Sequence, residues 1–131
     1  MTTFFREGNI GSAPEFKEFP KGNDEPDRLL RLNVYFDNRV PTKDGYEDRG
    51  GFWAPVELWH PKADVWCKLY QQGMRVLVVG HVVLDKWDHP EKGEQKTFKV
   101  KARRVAILPY RIESVEMEAK ANADEDEELP Y

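Results

Sequence analysis

Residues 52–59 place two tryptophans where an alternating strand turns them away from its apolar side. Successive side chains of a β-strand point to opposite faces. One row therefore holds Phe52, Ala54, Val56 and Leu58, and the other holds Trp53, Pro55, Glu57 and Trp59. Flat aromatic rings on the solvated face of a sheet stack on unpaired nucleic-acid bases, and each stack contributes ~1–3 kcal/mol. The alternative is that both indoles pack against a neighbouring subunit or a returning loop.

A basic row lies beside a third tryptophan. Residues 84–87 and 97–108 flank a turn rich in polar residues, proline and glycine, which predicts a long hairpin. The outer row of its returning strand, next to Trp87, holds Thr97, Lys99, Lys101 and Arg103. Cations interleaved with aromatic rings suit a single nucleic-acid strand, whose phosphates and bases must both be contacted. A merely solvated face explains the basic row alone, so the interpretation depends on its conjunction with the tryptophan strand.

A third strand is predicted over residues 30–36. Leu30, Leu32, Val34 and Phe36 form its apolar row and alternate with Arg31, Asn33, Tyr35 and Asp37. The outer row thus offers a cation, Arg31, and an aromatic ring, Tyr35.

Charge is segregated along the chain. Residues 1–111 carry a net charge of +3 and residues 112–131 carry −7, within a total of −4. Blocks of like charge remain solvated and disordered. We therefore predict one folded domain, residues 1–111, followed by a flexible linker and acidic tail, residues 112–131.

The tail ends on apolar and aromatic residues. Five consecutive acids, Asp124–Glu128, precede Leu129, Pro130 and Tyr131. A partner protein can bury the apolar groups and pair with the terminal carboxylate, while the acids accelerate encounter with a positive surface. We interpret this tip as a docking peptide, with a solubilising tail as the alternative; its partner-binding residues would be Asp126, Glu127, Glu128, Leu129, Pro130 and Tyr131.

The elements that position these residues are mostly strands, because the hydrophobic period is mostly 2. One helix is predicted over residues 62–72, where Pro61 suits its start and Gly73 its end. Trp66 within it is assigned to the core. The predicted strands cover residues 3–10, 15–19, 30–36, 52–59, 74–83, 84–87 and 97–108, with a polar loop over residues 39–51.

Several classes of function are disfavoured. The chain of 131 residues has no apolar run long enough to span a membrane and no secretory pattern at its N-terminus, so a cytoplasmic protein is expected. The single cysteine, Cys67, excludes an internal disulfide framework. His60, His81 and His89 lack metal-ligand spacing, and no glycine-rich phosphate loop follows a strand. No metal, cofactor or enzymatic activity is expected.

The motifs together resemble those of bacterial-type single-stranded DNA-binding proteins. GNIGSAPEFKEFPKG resembles the first strand and following loop of that family, FWAPVELW its aromatic strand, and KLYQQGMRVLVVGHVVLDKW its helix end, central strand and hairpin entry. DEDEELPY resembles its acidic tip. The resemblance implies an all-β fold: a five-stranded oligonucleotide-binding (OB-fold) barrel with one short helix and a disordered acidic tail.

The resemblance also implies roles for residues. By position, Trp53, Trp59 and Trp87 match base-stacking aromatics, Lys86 matches a basic residue beside the hairpin tryptophan, and Tyr35 or Phe36 would replace a fourth ring missing near residue 40. The implied function is binding of single-stranded DNA during replication, recombination and repair, with proteins recruited through the tip and a homotetramer expected, a dimer being possible. Pro55, Gln72 and Asp85 stand where cations are usual, which predicts a shallower salt dependence. A primosome-type protein-interaction module on the same fold is the alternative.

Overall fold

The alternation in the sequence corresponds to the strands of the computed structural model, which describes residues 2–119. A 3-10 turn, Pro109–Arg111, is the last regular element. In chain order the elements before it are β1 (Thr2–Ile10), β2 (Glu15–Lys21), β3 (Asp24–Phe36), β4 (Arg39–Thr42), β5 (Gly45–Asp48), β6 (Phe52–Trp59), α1 (Ala63–Leu69), β7 (Arg75–His89) and β8 (Gly93–Leu108).

Five of these strands form a closed ring. The sheet order is β1-β7-β8-β6-β3-β2, and an additional pairing of β1 with β3 closes the circle and leaves β2 outside it. The closing seam is short, since it joins only Asn9 to Tyr35 and Ile10 to Val34. The prediction of an all-β, five-stranded OB-fold barrel with one short helix is confirmed. The acidic tip lies outside the described residues, and the division at residue 111 remains a prediction.

The core is filled by the inward rows of the ring. Its largest fully buried side chains are Ile10, Leu30, Leu32, Val34, Phe36, Val56, Val76, Val78 and Val100. Helix α1 packs against this core through Ala63 and Tyr70, and the Tyr70 hydroxyl donates to the backbone oxygen of Val105 at 2.6 Å. Trp66 packs against the same core and stacks on His60 with 4.1 Å between ring centroids. The assignment of Trp66 to the core is confirmed.

The predicted loop over residues 39–51 is wrong, because it contains the hairpin β4–β5. Gly45, with φ of 130°, forms part of its turn. All four residues of β5 are exposed, so the hairpin buries no apolar row on that strand. Without such a row there is no alternation of period 2 for the sequence to display.

A bulge interrupts the long pairing of β7 with β8. Val79 pairs with Arg104 but Gly80 pairs with Ala102, which leaves Arg103 unpaired between them. Gly80 permits this close approach, since a Cβ there would lie 2.1 Å from the backbone oxygen of Lys101. Beyond Val82, β7 has no pairing with β1, and β8 pairs with β6 only from Val100. Residues 83–99 therefore form a two-stranded arm that extends from the barrel.

Asp37, at the end of β3, reinforces the closure beyond the seam. Arg75 of β7 donates to both carboxylate oxygens of Asp37, at 2.9 and 3.1 Å, and Arg39 donates to one at 2.9 Å. Arg6 of β1 donates to the backbone oxygen of Asp37 at 2.9 Å. Burial alone would raise the pKa of Asp37, but the hydrogen bonds from Arg75 and Arg39 outweigh it and hold that pKa below its ordinary value.

We expect Asp37→Asn to lower the free energy of unfolding at pH 7 by about 1–3 kcal/mol, because two guanidinium groups lose their charged acceptor. The folded pKa of Asp37 lies below the unfolded one. Its stabilisation is therefore complete above the unfolded pKa and is lost as the pH falls through the folded value. The difference between parent and variant in urea unfolding should shrink below about pH 4.

Glu47→Gln is the matched control for this experiment, because Glu47 pairs with Arg49 on the exposed hairpin. Its effect should stay below about 0.5 kcal/mol. A parent and Asp37→Asn variant of equal stability at pH 7, or a difference unchanged at pH 3, would show that the Asp37 carboxylate does not hold the closure.

Candidate nucleic-acid interface

Strands β3 and β6 carry two aromatic pairs on their outer face. Trp53 lies opposite Tyr35, with 5.2 Å between ring centroids and 56° between ring planes. Trp59, six residues further along β6, lies about 20 Å away by strand geometry. Trp53 is 55% exposed and Trp59 is 40% exposed. The prediction that both indoles lie on the outer face is confirmed, while their role in stacking remains a prediction.

The Trp53 ring lies close to the backbone of the segment that follows β1. A Cβ on Gly11 would lie 2.2 Å from this ring, so any other residue there would displace the indole. Glycine at position 11 thus lets the barrel wall support Trp53 from one side.

The second pair joins Trp59 to a ring that the sequence analysis did not assign. Phe19 of β2 lies 5.5 Å from Trp59, centroid to centroid, and is 44% exposed. Between the two strands, Leu29 of β3 pairs with Trp59 and is buried. The two aromatic residues of EFKEFPK, Phe16 and Phe19, were the sequence signal for this second pair. Every residue of β2 is exposed, however, so no apolar row indicated which side of the strand faces outward.

A band of charge separates the aromatic pairs. Glu57 is only 4% exposed and lies 3.7 Å from Nη2 of Arg31 and 3.2 Å from Nζ of Lys99. Lys99 also lies 3.4 Å from Asp85. Burial alone would lower the pKa of Lys99, but Glu57 and then Asp85 raise it above its ordinary value. Arg31 and Lys99 therefore reach the predicted surface as charges already balanced by acids.

The arm of residues 83–99 carries Trp87, which is exposed and lies 5.7 Å from His89. Lys86 is also exposed but lies opposite Lys96, and alternation turns it to the other side of the arm from Trp87. The two residues are therefore neighbours in sequence without sharing a face.

The predicted basic row of β8 is interrupted. Lys99 and Lys101 lie on the outer side of β8, but the bulge places Arg103 out of step with them. Arg103 instead borders a groove beside α1 that Leu58, Trp66 and Leu69 also line. The sequence could not reveal this, because a bulge shifts the alternation by one residue.

Phe36 is a correction. Its side chain is fully buried, with its ring 4.8 Å from that of Phe4 and 5.5 Å from that of Phe52. It belongs to the apolar row of β3, so it cannot meet a base while the barrel is folded. Of the two replacements considered for the missing ring, only Tyr35 lies on the outer face.

Tyr35 also fixes the hairpin β4–β5 to the barrel. Its hydroxyl donates to Oδ2 of Asp48, and the backbone N–H of Asn38 donates to Oδ1 at 2.8 Å. The hydrogen bond to Asp48 raises the pKa of Tyr35. The same bond, together with that from Asn38, lowers the pKa of Asp48. One aromatic ring thus pairs with Trp53 and anchors the neighbouring hairpin.

Two further features concern residues 2–119, namely metal-ligand groups and membrane-spanning helices. This part of the chain contains no group of three His, Cys, Asp or Glu side chains placed to hold a metal ion. Across the same residues no helix is long and apolar enough to cross a membrane. Cys67 is half-buried, with its Sγ 3.7 Å from the backbone oxygen of Pro14.

The model of the single-strand binding protein family matches residues 1–108. The chain belongs to this family. The resemblance drawn from the sequence is thereby confirmed, and the family assignment agrees with a binding protein rather than an enzyme. No curated protein matches this chain in sequence.

Several solved structures share the fold of this chain. The small single-stranded DNA-binding protein from Streptomyces coelicolor is 19% identical, with a TM-score of 0.63 over 81% of this chain and 93% of that one. A Plasmodium falciparum SSB complex with ssDNA is 15% identical, with a TM-score of 0.63 over 82% and 95%. The wild-type protein from Thermus aquaticus is 20% identical, with a TM-score of 0.64 over 85% and 52%. At these identities the likeness shows the fold alone.

Tyr35→Phe tests how this family member holds its β4–β5 hairpin. Loss of the hydroxyl leaves Asp48 with the Asn38 N–H, so backbone amides of residues 39–48 should exchange hydrogen several-fold faster while the ring strands keep their rates. Tyr46→Phe is the control, since Tyr46 is exposed at the hairpin itself. Unchanged exchange over residues 39–48 in the Tyr35→Phe variant would mean that the Tyr35 hydroxyl does not anchor the hairpin.

Proposed function

We propose that this protein binds single-stranded DNA with little sequence preference. The supporting observation is that Trp53 and Trp59 remain exposed on the outer face although the inward rows already fill the core. Bases of a single strand can stack on these rings, and every base has a π face, so the preference among bases should be slight. A duplex is disfavoured, because its bases are already stacked on one another. The complex of the Plasmodium falciparum relative with ssDNA supports the proposal by analogy.

Stacking carries more of this proposed affinity than charge. Two of the expected phosphate-binding cations, Arg31 and Lys99, already pair with Glu57. Lys101, Arg103 and Lys86 are exposed, but they do not form one continuous row with the aromatic pairs. Each phosphate neutralised adds roughly 0.7 to the slope of log affinity against log salt for a single strand. We therefore infer a shallow salt dependence.

Trp53→Ala and Trp59→Ala should each weaken binding of a long oligothymidylate by roughly 5-fold to 100-fold, because each removes a stacking surface. Intrinsic tryptophan fluorescence measures the titration, with a duplex of equal length as the reference ligand. Trp66→Phe is the control and should bind like the parent. Trp66 packs against the core, so DNA should not quench its fluorescence in the parent.

Thermal melting of each variant accompanies the titration. Parent-like binding by both alanine variants would remove the stacking surface from the proposal. Unfolding on either change would instead place that indole among the residues that support the barrel.

Self-association is a second part of the proposal. Phe5 of β1 lies opposite Val79 of β7, on the outer side of the ring, and Leu77 is half-buried beside them. Phe5 is highly exposed, so this face leaves a large ring in water in the single chain. We infer a homo-oligomer that covers it, with a tetramer as the expected form and a dimer as the alternative. The interaction-module function would use such a face for a different protein.

We further propose that the C-terminal tip recruits replication, recombination and repair proteins. Its residues, Asp126–Tyr131, lie outside the described residues, so the proposal rests on their composition. Removal of residues 124–131 should leave strand binding intact or tighter while abolishing recovery of partners in pull-downs.

A shorter deletion separates docking from solubility. Removing only residues 129–131 keeps all five acids and should abolish partner recovery as fully as the longer deletion. Recovery of the same partners by both truncated proteins and the full chain would show that the tip is only a solubilising segment.

A further inference from the structure

Strand β2 presents an aromatic ring and a cation to the face that carries Trp59, although β2 lies outside the ring of strands. Its register with β3 places Glu15 opposite Arg31, Lys17 opposite Leu29 and Phe19 opposite Asp27. Because Arg31 and Leu29 belong to the outer row of β3, Lys17 and Phe19 point to the same side. Phe16 and Glu18 point to the other.

The pair of Phe19 and Trp59 covers Leu29 without closing over it. The two ring planes are tilted by 42°, and about two fifths of each residue stays exposed. A pair that served only to bury Leu29 would gain most by minimising that exposed area. The remaining open ring faces are the kind of surface on which a base stacks.

The cations on and beside β2 differ in whether a nearby acid balances them. Lys21 pairs with Asp27 at 3.1 Å, and Arg28 lies within 4 Å of both Glu18 and Asp64. Lys17 is exposed and, among residues 2–119, forms no ion pair. In contrast to Arg31 and Lys99, it brings an unbalanced positive charge to the outer face. A ring and an uncompensated cation two residues apart match the base and phosphate of one strand.

We propose that the bound single strand continues past Trp59 onto β2, where Phe19 stacks on a base and Lys17 contacts a phosphate. This inference rests on the proposed function and adds a subsite to it. The strand then crosses β6, β3 and β2 at this end of the face, and Trp59 is an interior position of the path rather than its end.

Four variants at three positions test the subsite, with a long oligothymidylate as the probe and thermal melting as the check on folding. Phe19→Leu keeps an apolar cover over Leu29 but lacks a flat ring, and it should bind roughly fivefold more weakly or worse. Phe19→Tyr keeps the ring and should bind within about twofold of the parent. Phe16→Leu, on the opposite side of β2, is the matched control and should also bind like the parent. Lys17→Gln should reduce the salt slope by roughly 0.7.

The outcomes separate this inference from the proposed function. Parent-like binding by Phe19→Leu, or equal weakening by Phe16→Leu, would overturn the β2 subsite and leave Phe19 as a cover for Leu29. If the parent itself failed to bind oligothymidylate, the proposed function would fail first. Weakening by Phe19→Leu together with rescue by Phe19→Tyr would establish the subsite.

Discussion

Closure of the barrel between β1 and β3 is the constraint on which the other features depend. The seam consists of two residue pairs, Asn9 with Tyr35 and Ile10 with Val34. Gly8 permits the approach, since a Cβ there would lie 2.6 Å from the backbone oxygen of Tyr35. Beyond the seam, Asp37 joins β3 to β1 through Arg6 and to β7 through Arg75. Without this closure the inward rows would be open to water, and the outer row with Tyr35 and Trp53 would lose its support.

The outer face keeps its aromatic rings and its cations in separate places, and the proposed function would use both. Its aromatic pairs stand at either end, and the acids Glu57 and Asp85 hold the cations between them. A buried carboxylate between Arg31 and Lys99 relieves the repulsion of two like charges and fixes their side chains. Because these cations are already paired, less positive charge remains available to phosphates. If this face binds a single strand as proposed, it depends on flat aromatic surfaces more than on a strong positive field.

The sequence predicted those parts of the molecule in which alternation and burial agree. Trp53 and Trp59 were placed correctly because β6 has a complete apolar row on its other side. Phe36 was wrong as a stacking candidate. Its position in the family pattern suggested a stacking ring, but the alternation of β3 already turned it inward. For a different reason, Arg103 was placed in the wrong row and Phe19 was not assigned. The first lies at a bulge, and the second lies on a strand exposed on both sides, so neither carries a periodic signal.

The exposed tryptophans stand on two kinds of support, the closed barrel and the arm of residues 83–99. Trp53 and Trp59 stand on a closed barrel, whose strands are hydrogen-bonded on both sides and resist bending. Trp87 stands on a ribbon of two strands about 20 Å long, and such ribbons are more strongly twisted than wider sheets. Trp53 and Trp59 thus stand on a continuous barrel wall, whereas Trp87 stands on an arm whose two strands pair only with each other. A single strand bound as proposed would therefore contact two rings on the barrel and a third on a separate arm.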